Sequence, residues 1–190
     1  MDGEVQRMQS NWRWGFHVAV FLLLLFLGYP YFRDVPRPYG VLDMGMLPFH
    51  EAGHFVFGVL GEFMGVLGGS LVQVLMPLGF GLYFAFVRRD WFAGLACLFW
   101  LFQNLVNISI YMADSRKMLL PLFGGSDDVI HDWNFLFGRM HKLNQADSIA
   151  ATVAALGRLG MAASYAAMAG WLFVTRPGAA EKAGTLNPVR

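Results

Sequence analysis

The run Met46-Leu47-Pro48-Phe49-His50-Glu51-Ala52-Gly53-His54-Phe55-Val56-Phe57 sets two histidines and a glutamate within five positions of an otherwise apolar stretch. An apolar background of this length reads as membrane helix, where ionisable residues are costly and mark function by default. Histidines four apart share one helix face, so His50 and His54 can reach one metal ion, and Glu51 beside the first can take a proton from metal-activated water. Two imidazoles suit zinc better than magnesium or calcium, which require several oxygen ligands. The alternative is ordinary packing, with both imidazoles hydrogen-bonded to neighbouring helices and Glu51 paired with Arg158. A buried glutamate beside two imidazoles needs a charge partner, and a metal supplies one directly.

Composition carries the same message along the whole chain. Its 190 residues are 56% hydrophobic and only 14% charged, well to the apolar side of a soluble domain. The expected fold is therefore all-α: a polytopic membrane helix bundle forming one integral membrane domain with the lipid bilayer around it. A formal charge of +1 without a basic block argues against nucleic acid as a partner. Cys97 is the sole cysteine, which excludes an intrachain disulfide. After Arg7 and Arg13 the first apolar run continues through Tyr29-Pro30-Tyr31-Phe32 into Arg33 with no small-x-small cleavage site, so it reads as a retained span, not a removed signal.

Charges and turn residues divide the chain into five stretches near the ~20 residues that cross a bilayer: 14–32, 42–64, 70–87, 91–112 and 148–174. Gly65, Gly68 and Gly69 are expected to turn the chain between the second and third, and Arg88-Arg89-Asp90 bounds the third. Residues 114–147 are too apolar for a disordered loop and are expected to form an interfacial or re-entrant segment. Five crossings would put Arg7, Arg13, Arg116, Lys117, Arg139 and Lys142 on one face, and Arg33, Arg37, Arg88, Arg89, Arg176, Lys182 and Arg190 on the other. That balance sets no orientation under the positive-inside rule.

An H-E-x-x-H motif inside a membrane span resembles the site-2 protease family of intramembrane zinc metalloproteases. The resemblance rests on Phe49 to Phe55 and the multi-span pattern. It implies a zinc metalloendopeptidase that hydrolyses membrane-embedded or membrane-proximal peptides, with Glu51 as general base and His50 and His54 as metal ligands. It also implies a third ligand, an aspartate in a later span within an N-x-x-P-x-P-x-L-D-G-type motif. The counterpart here, Asn107 to Arg116, keeps the asparagine and Asp114 but lacks the prolines and the following glycine.

Two candidates compete for that third position, Asp114 on family resemblance and His131 on chemistry. Counted at 1.5 Å per residue from the starts of their spans, His50 lies about 12 Å deep and Asp114 roughly 20 Å deeper, which would keep straight helices apart. His131 is followed by Asp132, offering a ligand and a carboxylate to orient it, and Gly124-Gly125 would let the segment fold back. Gln103, Asn104 and Asn107 could hold a substrate backbone or bond between helices. Arg158, deep in the last span, is expected to pair with Asp43, Glu51 or an aspartate of the long segment, and could stabilise an oxyanion. Non-proteolytic metal binding or metal transport is the competing function. Haem is disfavoured, since axial ligands approach opposite faces of the ring.

Overall fold

The computed structural model describes residues 2–33, 40–120 and 131–178. Described residues are almost entirely helical: α1 (Asp2–Gly28), a 3-10 turn (Tyr29–Phe32), α2 (Val41–Gly58), α3 (Glu62–Leu82) running into a π turn (Tyr83–Val87), α4 (Trp91–Asp114), α5 (Asp132–Arg139) and α6 (Ala146–Val174), the last preceded by a 3-10 turn (Leu143–Gln145). Four stretches are long and apolar enough to cross a membrane: Asn11–Phe32, Glu62–Val87, Trp91–Asp114 and Leu143–Val174. A helix satisfies its own backbone polar groups, which makes it the form these apolar sequences must take in lipid.

The helix carrying His50 is not among those four, because Asp43, His50, Glu51 and His54 dilute the apolar composition of its 18 residues. Gln103, half-way along α4, donates to Asp43 in the first turn of α2 at 2.7 Å. Tyr31, at the end of the first apolar stretch, accepts from Arg158 Nε through its carbonyl at 3.0 Å, and Arg158 follows Gly157, which packs on Val106 and the Phe102 carbonyl of α4. The end of the first stretch and the start of α2 thus lie at the same mid-level of α4. At the other extreme of the first stretch, Trp14 Nε1 donates to the Leu172 carbonyl near the end of α6. α1 and α2 occupy successive levels of the bundle, and α3 then descends its full length.

Three expectations are revised by this arrangement. Residues 42–64 are not one continuous helix: α2 ends at Gly58, the chain turns through Val59 to Gly61, and Gly61 adopts φ 101°, a conformation that favours glycine. Gly65, Gly68 and Gly69 lie inside α3, where their lack of side chains serves packing. A Cβ on Gly53 or on Gly68 would run into the opposing helix's backbone carbonyl, so α2 and α3 meet backbone to backbone. The division of basic residues between faces changes as well, because Arg13, Arg88 and Arg89 line a single cavity at one end of the bundle.

Of the 114–147 segment, residues 121–130, with Gly124-Gly125, lie outside the described residues. Its remainder includes α5, whose Trp133, Leu136 and Phe137 are buried with Ile108 and Met112 of α4 and Ala146 and Ala150 of α6. Trp133 Nε1 also donates to Ser70 Oγ of α3 at 3.2 Å. This packing fixes the N-terminus of α5 against the α2–α3 pair.

Candidate metal centre

His50 and His54 lie one turn apart on α2 with ring centroids 4.8 Å apart and planes at 83°. Gly69 makes the first imidazole possible, since a Cβ there would come within 2.6 Å of the His50 ring. The α3 backbone is thus close enough for its polar groups to hold both rings from behind. His54 Nδ1 lies 2.9 Å from the Gly65 carbonyl oxygen. A carbonyl only accepts, so Nδ1 carries the proton and Nε2 of the neutral ring presents a lone pair. His50 Nδ1 lies 3.0 Å from Gln73 Oε1, while the Gln73 amide nitrogen donates to Asn107 Oδ1 at 3.0 Å. That second bond turns the glutamine oxygen toward His50 and selects the same tautomer.

Both Nε2 atoms converge on one carboxylate oxygen. Asp132 Oδ2 lies 3.1 Å from His50 Nε2 and 3.4 Å from His54 Nε2. With both rings neutral in these tautomers three acceptor atoms face each other, an arrangement relieved either by a proton on one ring, which makes the His50–Asp132 contact a hydrogen bond, or by a cation among them. Metal–nitrogen bonds of 2.0–2.1 Å in a tetrahedral site imply ligand atoms about 3.3 Å apart; the two separations from Asp132 Oδ2 bracket that value, and all three atoms lie within 4.8 Å of one another. The group His50, His54 and Asp132 could hold a metal ion, and the donor set of two imidazoles and one carboxylate suits zinc. Gln73 and the Gly65 carbonyl supply hydrogen bonds of the kind that would orient both histidines toward such an ion.

No family model, curated protein or solved structure matches this chain. The centre is therefore understood from its own geometry.

Neither residue weighed as third ligand stands in the cluster. Asp114 Oδ2 lies 3.3 Å from His131 Nε2, so the two face each other. The Asp114 carboxylate also accepts from the backbone N–H groups of Leu119 and Leu120. His131 caps α5, its Nδ1 accepting from Asn134 N at 3.2 Å, which leaves Nε2–H to donate to Asp114. The expected 20 Å offset in depth also fails, because α2 begins beside Gln103 and not beside Trp91; Asp114 shares the α4 face of Asn107 and Tyr111, and its carboxylate is taken up by His131 and the Leu119 and Leu120 amides.

Asp132, first read as an orienting partner for His131, is the carboxylate that meets the histidines. Its backbone N–H donates to the Tyr111 hydroxyl at 3.1 Å, and the Tyr111 ring stands 4.3 Å from that of His131 and 6.4 Å from that of His50. The side chain of His54 is 26% exposed, against 10% for His50 and 9% for Asp132. The centre is closed behind His50 and open beside His54. Glu51, one residue from His50, is exposed on α2, which corrects the expectation of a buried glutamate in need of a charge partner: it points away from the packed α2–α3 face that Gly53 occupies.

Of the other polar residues singled out, Asn107 reaches the centre through Gln73. Asn104 is fully buried and donates to the Trp100 carbonyl of its own helix. Arg158 lines a different cavity of about 790 Å³ with Tyr31 and Asp43, so it is not beside the metal group. Gln73 and Tyr111 went unnoticed in the sequence. Gln73 had a signal, a lone amide in the apolar run Leu71-Val72-Gln73-Val74-Leu75.

Proposed function

We propose that this protein is a zinc metallopeptidase of the membrane, hydrolysing peptide bonds in membrane-embedded or membrane-proximal substrates, with Glu51 as general base. The observation that carries this reading is the convergence of His50 Nε2, His54 Nε2 and Asp132 Oδ2, with both imidazole tautomers set from behind. A zinc ion held there would polarise a substrate carbonyl and bring the pKa of water toward about 7. The chain's own groups do the rest. His50, His54 and Asp132 hold the ion and leave the side beside His54 open, as a catalytic site requires. Glu51, exposed next to His50, accepts a proton from attacking water and returns it to the leaving amine nitrogen.

Similarity in the H-E-x-x-H run to site-2 proteases supports the same reaction, with Asp132 in place of the aspartate of the later span. The site lies beside Tyr111, three residues from the end of α4, so a substrate bond close to one end of the bundle would be presented to it.

The test compares the parent with Glu51→Gln for zinc content and for cleavage of a reconstituted single-span peptide. Equal zinc with cleavage lost supports a peptidase. Equal cleavage by both removes the general-base role. A second reading, metal binding or transport without hydrolysis, draws on the fact that Glu51 contributes no atom to the metal group. It predicts zinc uptake into proteoliposomes that is indifferent to Glu51→Gln, and no cleavage by either form.

A further inference from the structure

At the opposite end of the bundle, a cavity of about 610 Å³ gathers Arg13 of α1, Arg88 and Arg89 between the π turn and α4, and Trp14, Trp91 and Trp171. We propose that this cavity binds the phosphate of an anionic glycerophospholipid. Among the described residues, three guanidinium groups share it with a single lining carboxylate, Asp90. Asp90 is already engaged, its Oδ1 accepting from Ala93 N at 3.0 Å as the cap of α4. Among the described residues the arginines therefore outnumber the anion beside them, and a phosphate offers what a guanidinium fork binds best, paired oxygens in one plane.

The turn that carries two of these arginines is held in an unusual form. Arg89 has φ 53°, in the left-handed region that residues with a Cβ rarely adopt. Backbone bonds from Arg88 N to the Tyr83 carbonyl and from Asp90 N to the Phe84 carbonyl brace it on either side. Adjacent basic residues are thereby fixed at the mouth of the cavity.

The walls distinguish a lipid from a soluble phosphate. Trp14, Trp91 and Trp171 ring the site, as indoles do at the headgroup level of a bilayer. Trp14 is anchored by its bond to the Leu172 carbonyl. Beside the arginines, Phe86, Val87 and Trp91 are 68%, 68% and 55% exposed, giving acyl chains an apolar surface next to the charge. Basic pockets between membrane helices recognise anionic headgroups in this manner.

The test uses the full chain purified in neutral detergent, offered phosphatidylglycerol and phosphatidylcholine in equal amounts, with retention read by native mass spectrometry and stability by Tm. Phosphatidylglycerol should be retained at least about fivefold over phosphatidylcholine, the ratio one kilocalorie of preference gives, and should raise Tm. Arg13→Gln with Arg88→Gln and Arg89→Gln should abolish the preference, while Arg116→Gln with Lys117→Gln at the other end should leave it intact. Equal retention of both lipids by the parent overturns the proposal, as does a preference that survives the triple change. An equal Tm rise with millimolar inorganic phosphate alone would assign the cavity to a soluble anion and overturn the lipid. Should the triple variant lose its helical circular dichroism, Arg88→Gln alone decides: a reduced preference supports the site, an unchanged one sinks it.

Discussion

Asp114 Oδ2 and His131 Nε2 face each other at 3.3 Å, buried at the junction of α4 and α5. The pair ties the N-terminus of α5 to the end of α4, and the next residue along, Asp132, is thereby presented to His50 and His54. The two groups that sequence offered as alternative ligands are each other's partners, and their joint effect is to position a third.

Substitutions at the two aspartates should separate holding the ion from placing the holder. Asp132→Ala is expected to weaken zinc binding by more than ~100-fold, beyond the ~10–100-fold typical of groups that only orient ligands. Asp114→Ala should cost about 10-fold or less in zinc affinity while lowering Tm, because it strands buried His131 and the Leu119 and Leu120 amides; breaking a buried pair costs about 3–5 kcal/mol. Competition with a fluorescent chelator and thermal unfolding, run on both variants, check the contrast.

Gln73 bridges Asn107 and His50, so Gln73→Leu should release the His50 ring from its tautomer without removing a ligand. An affinity loss of about 10–100-fold is expected, with Glu51-dependent cleavage falling in step at limiting zinc and recovering at saturating zinc. Failure to recover would place Gln73 in the reaction instead.

Zinc affinity should fall on acidification. Imidazole ordinarily titrates near 6.5, and both rings bind metal only when neutral. In the acid limb two protons compete with one ion, and the loss approaches ~100-fold per pH unit. Zinc titrations between pH 5 and 8 (a span of about three units around the imidazole range) should show a slope steeper than one proton in the acid limb, and His54→Ala should reduce it.

Gly53 and Gly68 allow α2 and α3 to touch through their backbones. Gly53→Val must push the helices apart, at a cost of about 1–3 kcal/mol for overpacking, and because His50 and His54 flank Gly53 on α2 while Gln73 and Gly65 lie on α3, zinc affinity should drop along with Tm. A variant that keeps both would show that the hairpin tolerates separation.

Hydrophobicity alone fixed the fold class of this chain, because runs such as residues 11–32 and 91–114 have no other way to satisfy their backbones in lipid. The spacing of His50 and His54 was equally legible, since the helical period puts them on one face wherever the helix lies. The level of α2 was not, because length and apolarity do not reveal where in a bundle a helix begins, which here is set by the Asp43–Gln103 bond half-way along α4.

The third member of the metal group was hidden for a related reason. His131 and Asp132 are neighbours in sequence with similar prospects as ligands, and the entry angle of α5 decides which one turns toward α2. That angle comes from burial of Trp133, Leu136 and Phe137 and from the His131 cap. Local periodicity determined the helices and the histidine pair; the carboxylate, the amide behind His50 and the gathering of Arg13 with Arg88 and Arg89 were decided by tertiary packing, which alone brings together residues as distant in the chain as His50 and Asp132.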